Sequence, residues 1–543
     1  MSTPPSQSEP PPFKPQGVFE YLLTHYRGIF ATAVLIPVSL VFGWYIRLRA
    51  SAARRRYRAP ELHDSRVKWV VEQLRRWEEE GAPVRLTTSR SGWFSMSQYV
   101  AAYKKTNRAI EMPMYDIIAI NDDKGTVTVQ PLVNMGQLSR VLNAKGWTLA
   151  VVPELDALTV GGLINGFGVE SSSHKYGLFQ YTVESFDLVT PDGRLRHCSP
   201  AENVELFFTV PWSHGTLGFL VAAELKMIRC KPFVRLEYRA LRGLSTIVSE
   251  FEKAARDTGN EFVEVLQYGC DEAVLMTGRF ADTPQPDGTK NSIGRWYKPW
   301  FYSHARRVLT RPGPVVEYIP LRHYYHRHTR GLFWEMGEVI PFGNHPLFRL
   351  LLGWAIPPEI SLMKYCETRT IERLREKYHV VQDMLIPVSA LLESLRYLDT
   401  QYRLYPLWIC PMAVRNYPRG MGFLHAIRTP EGGEDTVFAD VGMYGSPKAP
   451  GFDGNTALKA LEQFVLDHRG YQAMYAKTLL TREQFRAMFD HTTYDRLRKE
   501  IPLCEKAFPE VYDKLGGNAR LSPVEYKRLK ATRGLVVPPD PNA

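Results

Sequence analysis

The chain has 543 residues, 44% hydrophobic and 23% charged, which suits roughly two to four packed domains and excludes a disordered or collagen-like chain. Its net charge of +11 is uneven, because residues 1–60 hold eight Lys/Arg against two Asp/Glu. The six cysteines (Cys198, Cys230, Cys270, Cys366, Cys410 and Cys504) include no CxxC pair, which excludes a zinc ribbon or thioredoxin-type motif and fits buried thiols in a reducing compartment.

Residues 1–27 begin Pro-rich and polar, and are expected to form a disordered tail. Residues 28–46 (GIFATAVLIPVSLVFGWYI) carry no charge over 19 positions. As a helix this run is about 28 Å long, close to the ~30 Å of a bilayer's hydrocarbon core. Trp44 and Tyr45 sit at one end, and Pro37 falls mid-span, which membrane helices tolerate. A core helix would show a polar face, and this run has none. Ala50-Ser51-Ala52 resembles a signal-peptidase site, but the arginines follow the apolar run instead of preceding it. Arg47, Arg49, Arg54, Arg55, Arg56 and Arg58 therefore read as a cytosolic membrane-surface cluster, not a nucleic-acid site. They place residues 47 onward in the cytosol and the tail across the membrane.

The first globular region spans about 62–230. Residues 66–80 show helical spacing of Val67, Val70, Val71, Leu74 and Trp77. Residues 115–120 and 126–131 read as strands joined by the turn Asp122-Asp123-Lys124-Gly125. Residues 135–145 read as a helix closed by Gly146, and 147–152 as a strand. Then comes Thr159-Val160-Gly161-Gly162-Leu163-Ile164-Asn165-Gly166-Phe167-Gly168-Val169-Glu170-Ser171. Its four glycines permit close ligand approach and positive φ, and successive N–H groups there can cradle a pyrophosphate. The spacing is GGxxxGxG, not the dinucleotide GxGxxG, and a tight turn between packed elements explains it equally well in isolation. A hairpin follows over 183–198 with Asp192-Gly193 at its turn, and residues 222–228 form a closing strand.

In this order the elements resemble the flavin-binding domain of the vanillyl-alcohol-oxidase, or p-cresol-methylhydroxylase (PCMH), family over about 115 residues. The resemblance implies an α+β fold. A two-subdomain PCMH-type FAD domain over 62–230 would precede an α+β substrate (cap) domain over 231–515 and a tail over 516–543, with one N-terminal transmembrane helix. It assigns residues 159–171 to FAD. Many family members attach flavin to a His in an early loop. The matching stretch here, 87–97 (TTSRSGWFSMS), has no His, so FAD is expected to be non-covalent.

The second half carries the strings RHYYHRHTR (322–330), FWE (333–335), HVVQDML (379–385), YPLWICP (405–411) and FPEVYDK (508–514). With PELD (153–156) these resemble the Δ24-sterol reductase family. That resemblance implies an endoplasmic-reticulum membrane enzyme using NADPH and FAD to reduce the C24–C25 double bond of sterols. Other sterol-biosynthesis enzymes or a second copy are expected partners. An isolated alkene needs a proton donor and a dry, aromatic pocket. Tyr324, His326, His328, Glu335 and Tyr475 are the candidate catalytic residues. His326 and His328 stand two apart, but no carboxylate or Cys completes a ligand set, so no metal is expected. No NADPH motif is readable; Lys175 or Lys298 are conceivable 2′-phosphate partners. A flavin oxidase and a plant-like Δ24(28)-sterol isomerase or reductase are the competing readings.

Overall fold

The computed structural model describes residues 17–57, 59–92, 103–428 and 434–516, with a few positions around 95–101 and 520–524. The Pro-rich run and almost all of the C-terminal tail lie outside the described residues. The chain enters through helical turns Val18–His25 and Arg27–Phe30, a π turn Ala31–Leu35, and helix α1 (Ile36–Tyr57). The π turn has a local cause. Pro37 has no N–H and its ring crowds the preceding turn, so the helix widens just ahead of it. The stretch Arg27–Tyr45 is long and apolar enough to cross a membrane.

Helix α2 (His63–Glu79) buries Val67, Val70, Leu74 and Trp77 on one stripe. The short strands β1 (Leu86–Thr88) and β2 (Arg108–Ile110) pair in parallel beside it. Next come β3 (Ile117–Asn121), β4 (Thr126–Val129), α3 (Met135–Asn143), β5 (Trp147–Leu149), α4 (Val160–Asn165) and α5 (Ser173–Tyr176). The region closes with β6 (Val183–Val189), β7 (Leu195–Cys198) and the long β8 (Phe219–Arg229). The sheet order is β3-β4-β8-β6-β7, with β5 also on β8. Both expected hairpins form, and their turn glycines, Gly125 and Gly193, take φ of 64° and 73°. Strand β8 starts three residues before its predicted start, because pairing with β6 extends it.

Residues 230–232 lead into β9 (Phe233–Arg242) of a second sheet. Its further elements are α6 (Leu244–Arg256), β10 (Phe262–Gly269), β11 (Glu272–Ala281), β12 (Thr289–Lys290), β13 (Val315–Pro320), α7 (Leu321–Tyr325), α8 (Pro346–Leu352) and α9 (Arg369–Tyr378). Then follow β14 (Val380–Pro387), α10 (Leu391–Gln401), β15 (Leu407–Ala413), β16 (Val437–Gly445), α11 (Gly454–Asp467) and β17 (Tyr471–Gln472). Strand order is β12-β13-β9-β11-β10-β15-β16-β14-β17.

Four short helices follow: α12 (Arg482–Met488), α13 (Thr492–Glu500), α14 (Cys504–Ala507) and α15 (Val511–Leu515). They return to the first region. Tyr494 OH lies 2.7 Å from Thr216 Oγ1, Arg498 donates to Thr216 O, and Phe508 packs on Phe219 at 5.4 Å between ring centroids. The first region's core is thus completed from the far end of the chain.

Candidate active site

The first part of the glycine segment, Val160–Asn165, is helical where an open loop was expected. Thr159 stands before α4, and the first N–H groups are already used: Val160 N donates to Val133 O and Gly161 N to Pro131 O. None of the segment's glycines adopts positive φ, which departs from the expectation above. Three serve internal packing instead. A Cβ on Gly161 would meet Pro131 at 2.8 Å, one on Gly166 would meet Gly162 O at 2.8 Å, and one on Gly168 would meet Phe179 at 2.8 Å. Gly162 has only Thr159 Oγ1 nearby, at 3.1 Å, and is the glycine with space beside it.

Cations converge on this segment. Arg90 Nη1 donates to Thr159 Oγ1 at 3.2 Å. Lys514 Nζ, from α15, donates to His214 O at 2.7 Å and lies close to Gly215 and Asn165. Lys104 Nζ donates to Thr88 O and Oγ1. Burial, with Lys514 and Arg90 adding like charge, lowers the Lys104 ammonium to about 7. Burial alone lowers Lys514 to about 8. Nearby, the donor Trp212 Nε1 and the acceptors Asn165 Oδ1 and Gln180 Oε1 are buried without a hydrogen-bond partner. Mutually repelling cations and an unpaired N–H favour an anion, and a dinucleotide's diphosphate fits. Arg90, Lys104 and Lys514 would hold it there, and FAD would supply the hydride-transferring ring. The pH dependence follows. Free lysines deprotonate across pH 7–8, whereas a bound diphosphate keeps them charged, so binding takes up protons. FAD affinity is therefore expected to fall by up to about tenfold per pH unit per lysine above neutrality. Flavin-fluorescence titration tests this, and a dissociation constant flat from pH 6.5 to 9 would remove the lysines from the site.

The second sheet turns a polar face toward this segment. Residues directly paired across strands share a face. The register pairs Leu266 with Trp408, Trp408 with Gly442, Cys410 with Asp440, and Asp383 with Gly442. Glu264, Trp408, Cys410, Asp440, Tyr444 and Asp383 therefore stand on one face. The other face is mainly apolar, with Val263, Val265, Ile409, Val441, Met443 and Met384 buried on it beside Gln267 and Gln382. Arg327 ties the polar face to the glycine segment, bonding Glu264 at 2.7 and 2.8 Å and Glu170 at 2.8 Å, with all three side chains fully buried.

Two carboxyls in this zone, Glu154 and Asp440, are held neutral, and a third, Asp383, is raised toward neutrality. Burial, then the charge of Glu170, pushes Glu154 up to about 8. Burial pushes Asp383 up to about 6, although Tyr444 and Tyr475 each donate to it at 2.5 Å. Burial raises Asp440 well above the carboxylate range, and repulsion from Asp383 and Glu154 adds to this. Neither oxygen of Asp440 has a hydrogen-bond partner.

The five sequence candidates fall into separate surroundings. Tyr324 OH lies 3.0 Å from Ser171 Oγ, and its ring stacks under Arg327 at 4.3 Å. His328 Nε2 lies 3.3 Å from Glu264 and its ring stacks on Phe333 at 4.3 Å, with burial lowering its pKa. These two thus share the Arg327–Glu264 network. His326 is engaged at both nitrogens, by Glu154 O at 2.9 Å and by Asp156 at 2.9 Å. Glu335 pairs with His379 at 2.8 Å. Tyr475 bonds Asp383 and lines a 70 Å³ cleft with Tyr99, Arg375, His379, Gln382 and Tyr402. Lys175 is ion-paired to Glu261 at 2.6 Å. Asp383, Asp440, Glu154 and the three cations were not singled out from sequence. Asp383 and Asp440 did carry a signal, since each is a lone carboxylate inside an apolar strand run, VVQDMLIP and VFADVGMYG.

Fold and site together define a flavin-dependent oxidoreductase. Residues 67–199 match the FAD binding domain family model. The chain is 45% identical to the Delta(24)-sterol reductases of Mus musculus and Homo sapiens, over 92% of this chain and 95% of each relative. It is 36% identical to that of Arabidopsis thaliana over 88% and 89%. The chain belongs to the Δ24-sterol reductase family.

Proposed function

We propose that this chain reduces the C24–C25 double bond of sterol intermediates with NADPH through bound FAD, and that Asp440 gives the proton. The observation that carries the reading is the Asp440 carboxyl: buried, neutral and unbonded at both oxygens, on the sheet face that meets the glycine segment. When bound, the reduced flavin supplies hydride. Protonation at C24 puts the cation on C25, where hydride completes the reduction, so one proton and one hydride balance the product. A carboxylic acid suits this step better than a phenol, because burial lifts Tyr475 and Tyr444 well above 10. Tyr475 and Asp383 form the return path that reprotonates the acid, with Tyr475 bordering the cleft. Tyr324 and His328 act as positioning residues for Glu264 and Arg327, while His326 and Glu335 hold structure. Apolar surroundings and the nearby rings of Trp408 and Phe333 exclude water and face the cation. Membrane association is supported by the relatives and by Arg27–Tyr45. The basic residues that follow favour a cytosolic catalytic region, and the family resemblance points to the endoplasmic-reticulum membrane.

Purified in detergent, the protein is expected to be yellow, to be bleached by NADPH without oxygen, and to convert desmosterol. Acid precipitation is expected to release all the flavin, as the His-free early loop requires. A flavin that NADPH leaves oxidised would favour an oxidase, and colour retained in the pellet would refute non-covalent binding.

A further inference from the structure

Helix α8 carries an apolar stripe that the protein leaves uncovered. Leu347, Leu350, Leu351 and Trp354 follow helical spacing and are 55–62% exposed. Charged or polar residues are expected on such a stripe in water, and an uninterrupted apolar one marks an interaction surface. The stripe is continuous with the N-terminal helix. Phe348, on the inner side of α8, packs into the cluster built by Ala31, Leu35, Ile36, Trp300, Met336 and Ile340. Phe348 also contacts Phe342, which lies against Gly28. Ser39 Oγ accepts from Glu359 N at 2.5 Å, and Arg27 pairs with Glu338 at 3.1 Å. The apolar helix is thus fastened along the cap, and its other face, with Ile29, Val38, Val41 and Trp44, is exposed beside the stripe.

Neighbouring aromatics point to the occupant. Trp296 and Tyr297, both exposed, lie next to α8, because Gly353 approaches the Trp296 carbonyl too closely to admit a Cβ. Apolar side chains and interfacial aromatics, continuous with a helix long and apolar enough to cross a membrane, are together the pattern of an element seated at the headgroup boundary. We infer that the cap docks into a phospholipid bilayer through the stripe Leu347, Leu350, Leu351 and Trp354. The surface is argued independently of the sterol reading.

The test uses the full chain in vesicles of phosphatidylcholine and phosphatidylserine. A bimane label is placed at Leu351→Cys, and a control label at Leu195→Cys, on a distant exposed hairpin. Labelling of the unsubstituted chain gives the background. Brominated acyl chains are expected to quench the label at 351 at least twofold more than the label at 195. Equal quenching at both positions would overturn the inference. So would cross-linking between copies at 351 in place of lipid quenching, which would make the stripe a dimer face. These readouts do not depend on turnover. Leu350→Glu/Leu351→Glu adds a link to function: it is expected to raise the KM for vesicle-borne sterol severalfold at unchanged kcat.

Discussion

Asp440→Asn is expected to lower sterol reduction at least about a hundredfold, the range in which a general acid contributes, while FAD binding and flavin reduction by NADPH persist. The substitution keeps the shape and removes only the proton. Asp440 donates to no protein group and accepts from none, so no hydrogen bond is lost with it. Its charged form is penalised by burial and then by Asp383 and Glu154, so the acid is neutral and the neutral amide leaves the local charge unchanged. Stability should therefore stay level as activity falls, which separates a chemical role from a structural one. The pH dependence has a defined sign. The folded pKa values of Asp383 and Glu154 are raised, to about 6 and about 8. Stability from these raised carboxyls is full below the ordinary carboxylate range and is lost as pH rises through about 8. Rapid mixing of the reduced enzyme with sterol reads the chemical step directly. A wild-type rate of flavin reoxidation by sterol in the variant would assign the proton to another group.

Local features were legible before the fold was seen. The hairpins at Gly125 and Gly193 combine alternating strands with a glycine that must take positive φ, and both signals lie within a few residues. The membrane-length run and α2 are equally local. The glycine segment stood out in the sequence, but its mechanics did not. Whether a glycine faces a ligand or a neighbouring strand depends on Pro131 and Phe179, which only the fold brings against it. The carboxyl cluster was less legible still. Asp383 and Asp440 share a face through the register of β14 and β16, strands separated by two other elements in the chain. The cation set joins Arg90, Lys104 and Lys514 from opposite ends of the sequence. Aromatic and histidine density drew notice to 322–335, yet its most consequential residue is Arg327, which in sequence is one more cation among several.

Arg327→Met carries the largest expected loss of stability. The guanidinium lies between Glu264 and Glu170, and none of the three side chains touches solvent. Arg327 holds Glu264 well below the usual carboxylate range against the cost of burial, with help from His328. Removing the cation leaves two buried carboxylates without their partner, which costs about 3–5 kcal/mol in comparable buried pairs. Glu264 also accepts from Trp408 at 3.0 Å, so the strain would reach the sheet face that carries Asp440. The sign with pH is opposite to that of the raised carboxyls: Glu264's depressed pKa gives stability above the ordinary carboxylate range that is lost as pH falls through its folded value. Urea unfolding should show the loss in Arg327→Met, with FAD content falling because Glu170 ends the glycine segment. The triple change Arg327→Met/Glu264→Gln/Glu170→Gln removes the stranded charges as well, and should recover much of the deficit. If the triple variant is as unstable as the single one, the guanidinium acts by packing on Tyr324 at 4.3 Å rather than by charge. A single variant as stable as wild type would mean that the network does not hold the two parts of the molecule together.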